Sequence, residues 1–173
     1  MGKVNVVQRH KFADYLDISK TGTPEWALCG TGFTTLDEEP GAQSESVKYV
    51  NDAAASSSVE SYETTFPFES ELIPDEKAIM AIYNIGRNHL LGGDAQMDYV
   101  RVELWDPMEN QENVFKARKF LVSVNIDSIS GEKKIAISGN FNAVGDPVDG
   151  TFNTVDKTFT AVDSGSSDIG PAE

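Results

Sequence analysis

Two alternating runs joined by a glycine turn decide most of what this chain can become. Phe120, Val122, Val124 and Ile126 alternate with Leu121, Ser123, Asn125 and Asp127, the period of a strand with one buried face. Ile135, Ile137, Gly139 and Phe141 repeat the pattern against Ala136, Ser138, Asn140 and Asn142. Ser130-Gly131-Glu132 between them supplies a polar connection whose glycine can take the positive φ of a tight turn. The runs predict a long antiparallel hairpin, apolar on one face and small and polar on the other. Gly145-Asp146-Pro147 and Asp149-Gly150 read as turns, and Lys157 to Ala161 as a last short strand. A two-stranded unit cannot bury its apolar face alone, so a second sheet or a helix must cover it.

The remaining elements are sparser. Tyr62, Thr64, Phe66 and Phe68 alternate with polar residues, and Pro67 argues for a sheet edge. Pro74-Asp75-Glu76 opens one helix with the stripe Ile79, Ile82, Tyr83, Gly86 and Leu90, stopped by Gly92-Gly93. Val100, Val102 and Leu104, with Arg101 and Glu103 on the other side, form a further strand, and Glu25 to Phe33 is a helical turn or a strand. Residues 1–23 lack sustained alternation and read as an N-terminal arm. Residues 37–58 read as a long acidic loop within a hairpin centred on either Glu38 to Ser46 or Asp52 to Ser58. Residues 162–173 are small and acidic and read as a flexible tail. The expected architecture is mainly β, with two packed antiparallel sheets forming a sandwich or barrel flanked by one α-helix, in a single domain over residues 1–161.

At 173 residues, such a domain buries about 70% of its unfolded surface without disulfides. The net charge of -14 is concentrated: from Thr35 to Glu76 stand eleven acids against the single base Lys48. That balance repels nucleic acid, since binding surfaces cluster Lys and Arg to release phosphate counterions. The N-terminus has no apolar core of a secretory signal, and no apolar run is long enough to span a bilayer. Synthesis in the cytoplasm and no membrane contact are expected.

Positioned chemistry is missing. Cys29 is the only cysteine, and His10 and His89 are the only histidines, too few for a zinc site. No GxSxG, HExxH or EF-hand spacing occurs, and Gly30-Thr31-Gly32 extends to neither phosphate-loop pattern. No catalytic residue, cofactor or metal is expected, and the chain is not read as an enzyme. Lys116, Arg118 and Lys119, with Lys133 and Lys134, form the one basic cluster, suited to pair with the acidic segment of an adjacent subunit. Trp26 and Trp105 would be the platform of a carbohydrate-binding sandwich, a reading set against their packing in a core or interface.

The chain is similar, nearly end to end, to the major tail tube proteins of long-tailed bacteriophages. The likeness rests on the arm, the Trp-bearing turn, the acidic hairpin, the aromatic strand and the single helix. It continues through Ile137-Ser138-Gly139-Asn140-Phe141, Gly145-Asp146-Pro147-Val148, Gly150-Thr151-Phe152 and Lys157-Thr158-Phe159. The resemblance implies a structural subunit whose six copies join their inner sheets into a ring. Rings then stack into a tube that conducts DNA without specific binding. It implies a location in the virion tail, with further copies of the chain, tail terminator, tape measure and baseplate-type proteins as partners. Tubes of contractile injection systems and phage-tail-like bacteriocins share the fold and form the alternative reading. Ser123, Asn125, Asp127, Ser138 and Asn140 become lumen-facing candidates. Asp37, Glu38, Glu39, Tyr49, Lys116, Arg118 and Lys119 become inter-subunit candidates.

Overall fold

A computed structural model describes residues 4–162. Strands β1 (Phe12–Asp17), β2 (Trp26–Leu28) and β3 (Phe33–Leu36) are followed by β4 (Ala42–Val47), β5 (Ser56–Tyr62) and β6 (Thr65–Glu71). The helix α1 (Lys77–Arg87) then leads to β7 (Gln96–Pro107), β8 (Val114–Ser130), β9 (Ala136–Ala143), β10 (Val148–Asn153) and β11 (Thr158–Ala161). Nine strands make one antiparallel sheet in the order β2-β1-β7-β8-β9-β6-β3, with β10 and β11 branching from β8. β4 and β5 form a separate two-stranded hairpin.

The long strand β8 organises the molecule. Its first half lies between β7 and β10, and its second half pairs with β9. Because side chains alternate, it feeds two cores. Phe120, Val122 and Val124 enter the main cluster with Leu16, Phe66, Tyr99 and Phe141. Ala117 enters a second cluster on the opposite face with Tyr15, Trp26, Val100, Val102 and Phe152. Rings tie both clusters: Phe68 stacks on Phe141 at 4.7 Å in the first, and Tyr15 lies 4.5 Å from Phe152 in the second. Rings so placed add about 0.5–1.5 kcal/mol per pair beyond area burial.

The helix buries Ala78, Ile79, Ile82 and Ile85 against the main core. Its stripe therefore closes with Ile85, and Leu90 is only half-buried. It ends at Arg87, before Gly92-Gly93, because His89 takes the left-handed conformation at φ 50° and Leu90 N–H bonds back to Ile85 O at 3.1 Å. Gly86 lets the helix settle on β8: a Cβ there would stand 3.0 Å from the Ile126 side chain.

Several sequence expectations change. The expected arm contains β1, whose Tyr15 and Leu16 are buried, so only the residues before it project. Phe12 to Leu16 alternates apolar residues on both faces, and a strand buried on both sides leaves no amphipathic signature. Pro67 sits in β6, an interior strand between β9 and β3. Its missing N–H points toward the end of β3, where Asp37 N–H still bonds to Pro67 O at 3.1 Å, so only one rung is lost. Asp149 and Gly150 lie within β10 instead of a turn. A Cβ at Gly150 would stand 2.3 Å from Thr160 O, so the glycine serves close approach of strands. Ile135 precedes β9 and is exposed. The acidic loop is a hairpin, bulged between Gln43 and Ser44, whose turn spans Lys48 to Ala55, nearer the second expected centre.

Candidate functional site

The outer face of the sheet formed by β8, β9 and β6 gathers the small polar residues of the hairpin. Asn125 is opposite Asn140, which is opposite Pro67; Ser123 is opposite Asn142, which is opposite Thr65. A bulge between Ile126 and Ser128 resets the register, and beyond it Ser128 pairs with Ser138 and Ser138 with Glu69. The Ser128 and Ser138 hydroxyls share a hydrogen bond of 2.7 Å, and Asn140 Nδ2 reaches Asp127 Oδ2 at 3.5 Å. All five lumen-facing candidates, Ser123, Asn125, Asp127, Ser138 and Asn140, thus share one surface. The acids Asp127 and Glu69 stand among these residues, Lys134 is bound to Glu71 at 3.0 Å, and Lys119, four residues before Ser123 on the same parity of β8, lies over the Phe159 ring.

At the opposite end of the main core lies a buried charge cluster that sequence reasoning did not find. Asp14 of β1 and Arg101 of β7 are register partners and almost wholly buried. Asp14 accepts from the Tyr99 hydroxyl, from Arg9 at 2.8 Å, and faces Arg101 Nη1 at 3.4 Å. Glu38 takes two parallel 2.8 Å hydrogen bonds from Arg118 and lies 3.6 Å from Arg101 Nε. Burial, then the Asp14 carboxylate, push the Tyr99 phenol well above its ordinary value, and the same two causes raise the Cys29 thiol. For Arg101, desolvation pulls the other way but Asp14, Tyr99 and Glu38 outweigh it, so the guanidinium stays charged. Arg101 had been read on the polar side of its strand. It points inward because Val100 and Val102 already belong to the second core. A β7 run apolar at both parities, Tyr99 and Val100 to Val102, was the available signal.

The inter-subunit candidates divide. Glu38 and Arg118 are bound to each other within one chain. A bidentate pair is geometrically specific and strong, and it satisfies both groups locally. Lys119 lies over the Phe159 ring at 5.5 Å, whereas Lys116 is exposed. Asp37 is exposed, Glu39 is bridged to Thr65 at the root of the hairpin, and Tyr49 stands at the exposed tip. Among the described residues no cluster of His, Cys, Asp or Glu could hold a metal ion, and no helix is long and apolar enough to cross a membrane. Trp26 is buried, which removes it from any carbohydrate platform, and Trp105 packs edge-on against Phe12 at 6.4 Å.

No protein-family model and no curated protein sequence matches the chain. Among solved structures, the SPP1 tail tube superposes with a TM-score of 0.59 at 13% identity, over 83% of this chain and 78% of that one. This is the tail-tube fold. A chain of the anti-feeding prophage baseplate aligns at 8% identity over 86% of this chain and 97% of that one, with a TM-score of 0.46. The tail-tube fold here comprises antiparallel strands and one α-helix, and its polar face lies on the side of the sheet away from that helix.

Proposed function

We propose that the protein is a structural subunit of a phage tail tube, assembling into stacked hexameric rings through which DNA is ejected. The observation that carries this reading is the polar wall together with its two open edges. β3 has a strand neighbour only in β6. On the far side, β8 loses β7 after Ser123 yet continues to Ser130 against β9 alone. Unpaired backbone at both margins suits edge-to-edge addition of further copies, and head-to-tail addition closes a ring when the rotation divides evenly. The ring so formed carries Ser123, Asn125, Asp127, Ser138 and Asn140 on its inner surface, five side chains that are neutral or acidic and do not hold phosphates.

Asp37, Glu39 and Tyr49, near the root and at the tip of the β4–β5 hairpin, and Lys116 and Lys119 on the body, then serve contacts between subunits. Tail terminator, tape measure and baseplate-type proteins are the further partners of such a tube, and its location is the virion tail. The test is electron microscopy of the purified full chain across a concentration series. Rings and tubes with six-fold averages are the expected result. A chain that stays monomeric at high concentration and is missing from assembled tails by mass spectrometry sinks the reading.

A further inference from the structure

Two parts of the chain project from the sheet, and one charge network holds the roots of both. The residues before β1 carry the exposed Val4 and Val6 and turn into the strand through Arg9, His10 and Lys11, with Lys11 N–H on Gln8 O at 2.9 Å. The β4–β5 hairpin leaves the sheet at Glu38 and returns at Thr65, closed by reciprocal bonds between Glu39 and Thr65 of 2.8 and 2.9 Å. Every residue of β4 and β5 is exposed, so the hairpin takes its orientation from its root.

Arg9 touches both roots. Its Nη2 donates to Asp14 Oδ2 and to Leu36 O, each at 2.8 Å, two residues before Glu38. From Asp14 the contacts continue through Arg101 to Glu38 and end in the Arg118 fork. Phe12, next to the N-terminal turn, lies 4.9 Å under the Arg101 guanidinium. One joint is slack: Arg101 Nε is buried without a hydrogen-bond partner, and Glu38 Oε2 stands 3.6 Å away. An unpaired buried donor is costly, and a small inward shift of the hairpin root would bring Glu38 to the ordinary ~3.0 Å of an N–H···O bond.

We propose that the N-terminal segment and the β4–β5 hairpin are coupled through the Arg9–Asp14–Arg101–Glu38–Arg118 network, so that displacing one resets the root of the other. Coupling between two such elements is reciprocal in free energy, which gives the test two arms. It is made on the isolated chain and does not depend on assembly into rings.

Amide hydrogen exchange is read at both roots in two variants. Arg9→Ala should speed exchange at Glu39 and Thr65, and Glu38→Gln should speed exchange at Lys11, each by about tenfold, within the range of ordinary couplings. Lys77→Ala, which breaks the exposed pair with Glu25 outside the network, should change neither root. If each network variant loosens only its own end, or if Lys77→Ala loosens both roots equally, the proposal is overturned. Should Arg9→Ala fail to fold, Arg9→Lys keeps the charge but loses the planar fork whose two nitrogens reach Phe12 O, Asp14 and Leu36 O together, and the same readout at Glu39 and Thr65 decides.

Discussion

Asp14 and Arg101 lie directly opposite each other on β1 and β7, with side chains 1% and 6% exposed and Oδ1 3.4 Å from Nη1. A buried pair of this kind is weak evidence for net stability, but breaking it is expensive because the remaining charge is stranded. Asp14→Ala should therefore lower unfolding free energy by about 3–5 kcal/mol. Adding Arg101→Met to that variant should recover part of the loss, since no buried cation then remains. Urea denaturation of the single and double variants checks both statements, and a double variant less stable than Asp14→Ala would contradict the argument.

Alkaline pH should weaken the fold through Tyr99. Its folded-state phenol is raised by burial first and by Asp14 second, while the unfolded chain ionises near ~10. The folded state thus prefers the neutral form, and this stability is fully present below about pH 10 and lost as pH rises through the folded value. Tyr15, raised by burial, and Cys29 act in the same sense. The urea midpoint should fall steeply above about pH 10, and Tyr99→Phe should make that fall shallower.

Gly139→Ala should separate β8 from β9. The glycine faces Ile126 across β8 and Phe68 across β6, and a Cβ there would stand 2.0 Å from Asn125 O. The three nearest atoms are all backbone of β8, which leaves little room to yield, so a loss of about 2–3 kcal/mol is expected. Gly93→Ala, with nothing within 4 Å of its Cβ, should stay within about 0.5 kcal/mol of the parent. Thermal unfolding of the two variants distinguishes packing at Gly139 from a general intolerance of glycine replacement.

Asn140→Lys places a cation on the proposed inner wall. Its effect on chain stability should be within about 0.5 kcal/mol, as for other accessible positions, and rings should still form. Particles built with it should release DNA more slowly than the parent, most clearly at low salt, where phosphate contacts are strongest. Unchanged ejection kinetics at every salt concentration would remove this face from the lumen.

Raising ionic strength should favour assembly. Residues 35–76, with eleven acids against one base, carry most of the excess negative charge, and copies brought together repel until screening shortens the Debye length to about 8 Å at physiological salt. Light scattering at fixed protein concentration follows the transition; faster growth at very low salt would contradict it.

The sheet face was readable because β8 and β9 obey a strict period of two with one apolar side, and the helix because its stripe is amphipathic. The charge cluster was not readable. β1 and β7 are apolar at both parities, so their strands leave no alternation, and Asp14 and Arg101 read as ordinary polar punctuation. Their partnership depends on a register between strands some 85 residues apart. A separation of 80 residues likewise hid the Glu38–Arg118 pair within the chain. Residues 163–173, expected to be a loose tail, lie outside the described residues, as do residues 1–3.

The position of β8 in the chain has a consequence for biosynthesis. When the ribosome has delivered residues up to Ala95, β1 and β6 exist without their main partners, since β7 and β9 are still unmade. The strand that joins the two halves arrives only with Val114–Ser130, and the long-range ladders of β1 on β7 and of β6 on β9 close slowly. Until then the nascent chain presents open edges beside the helix and the acidic hairpin. Like-charge repulsion among neighbouring nascent chains then opposes premature pairing of those edges.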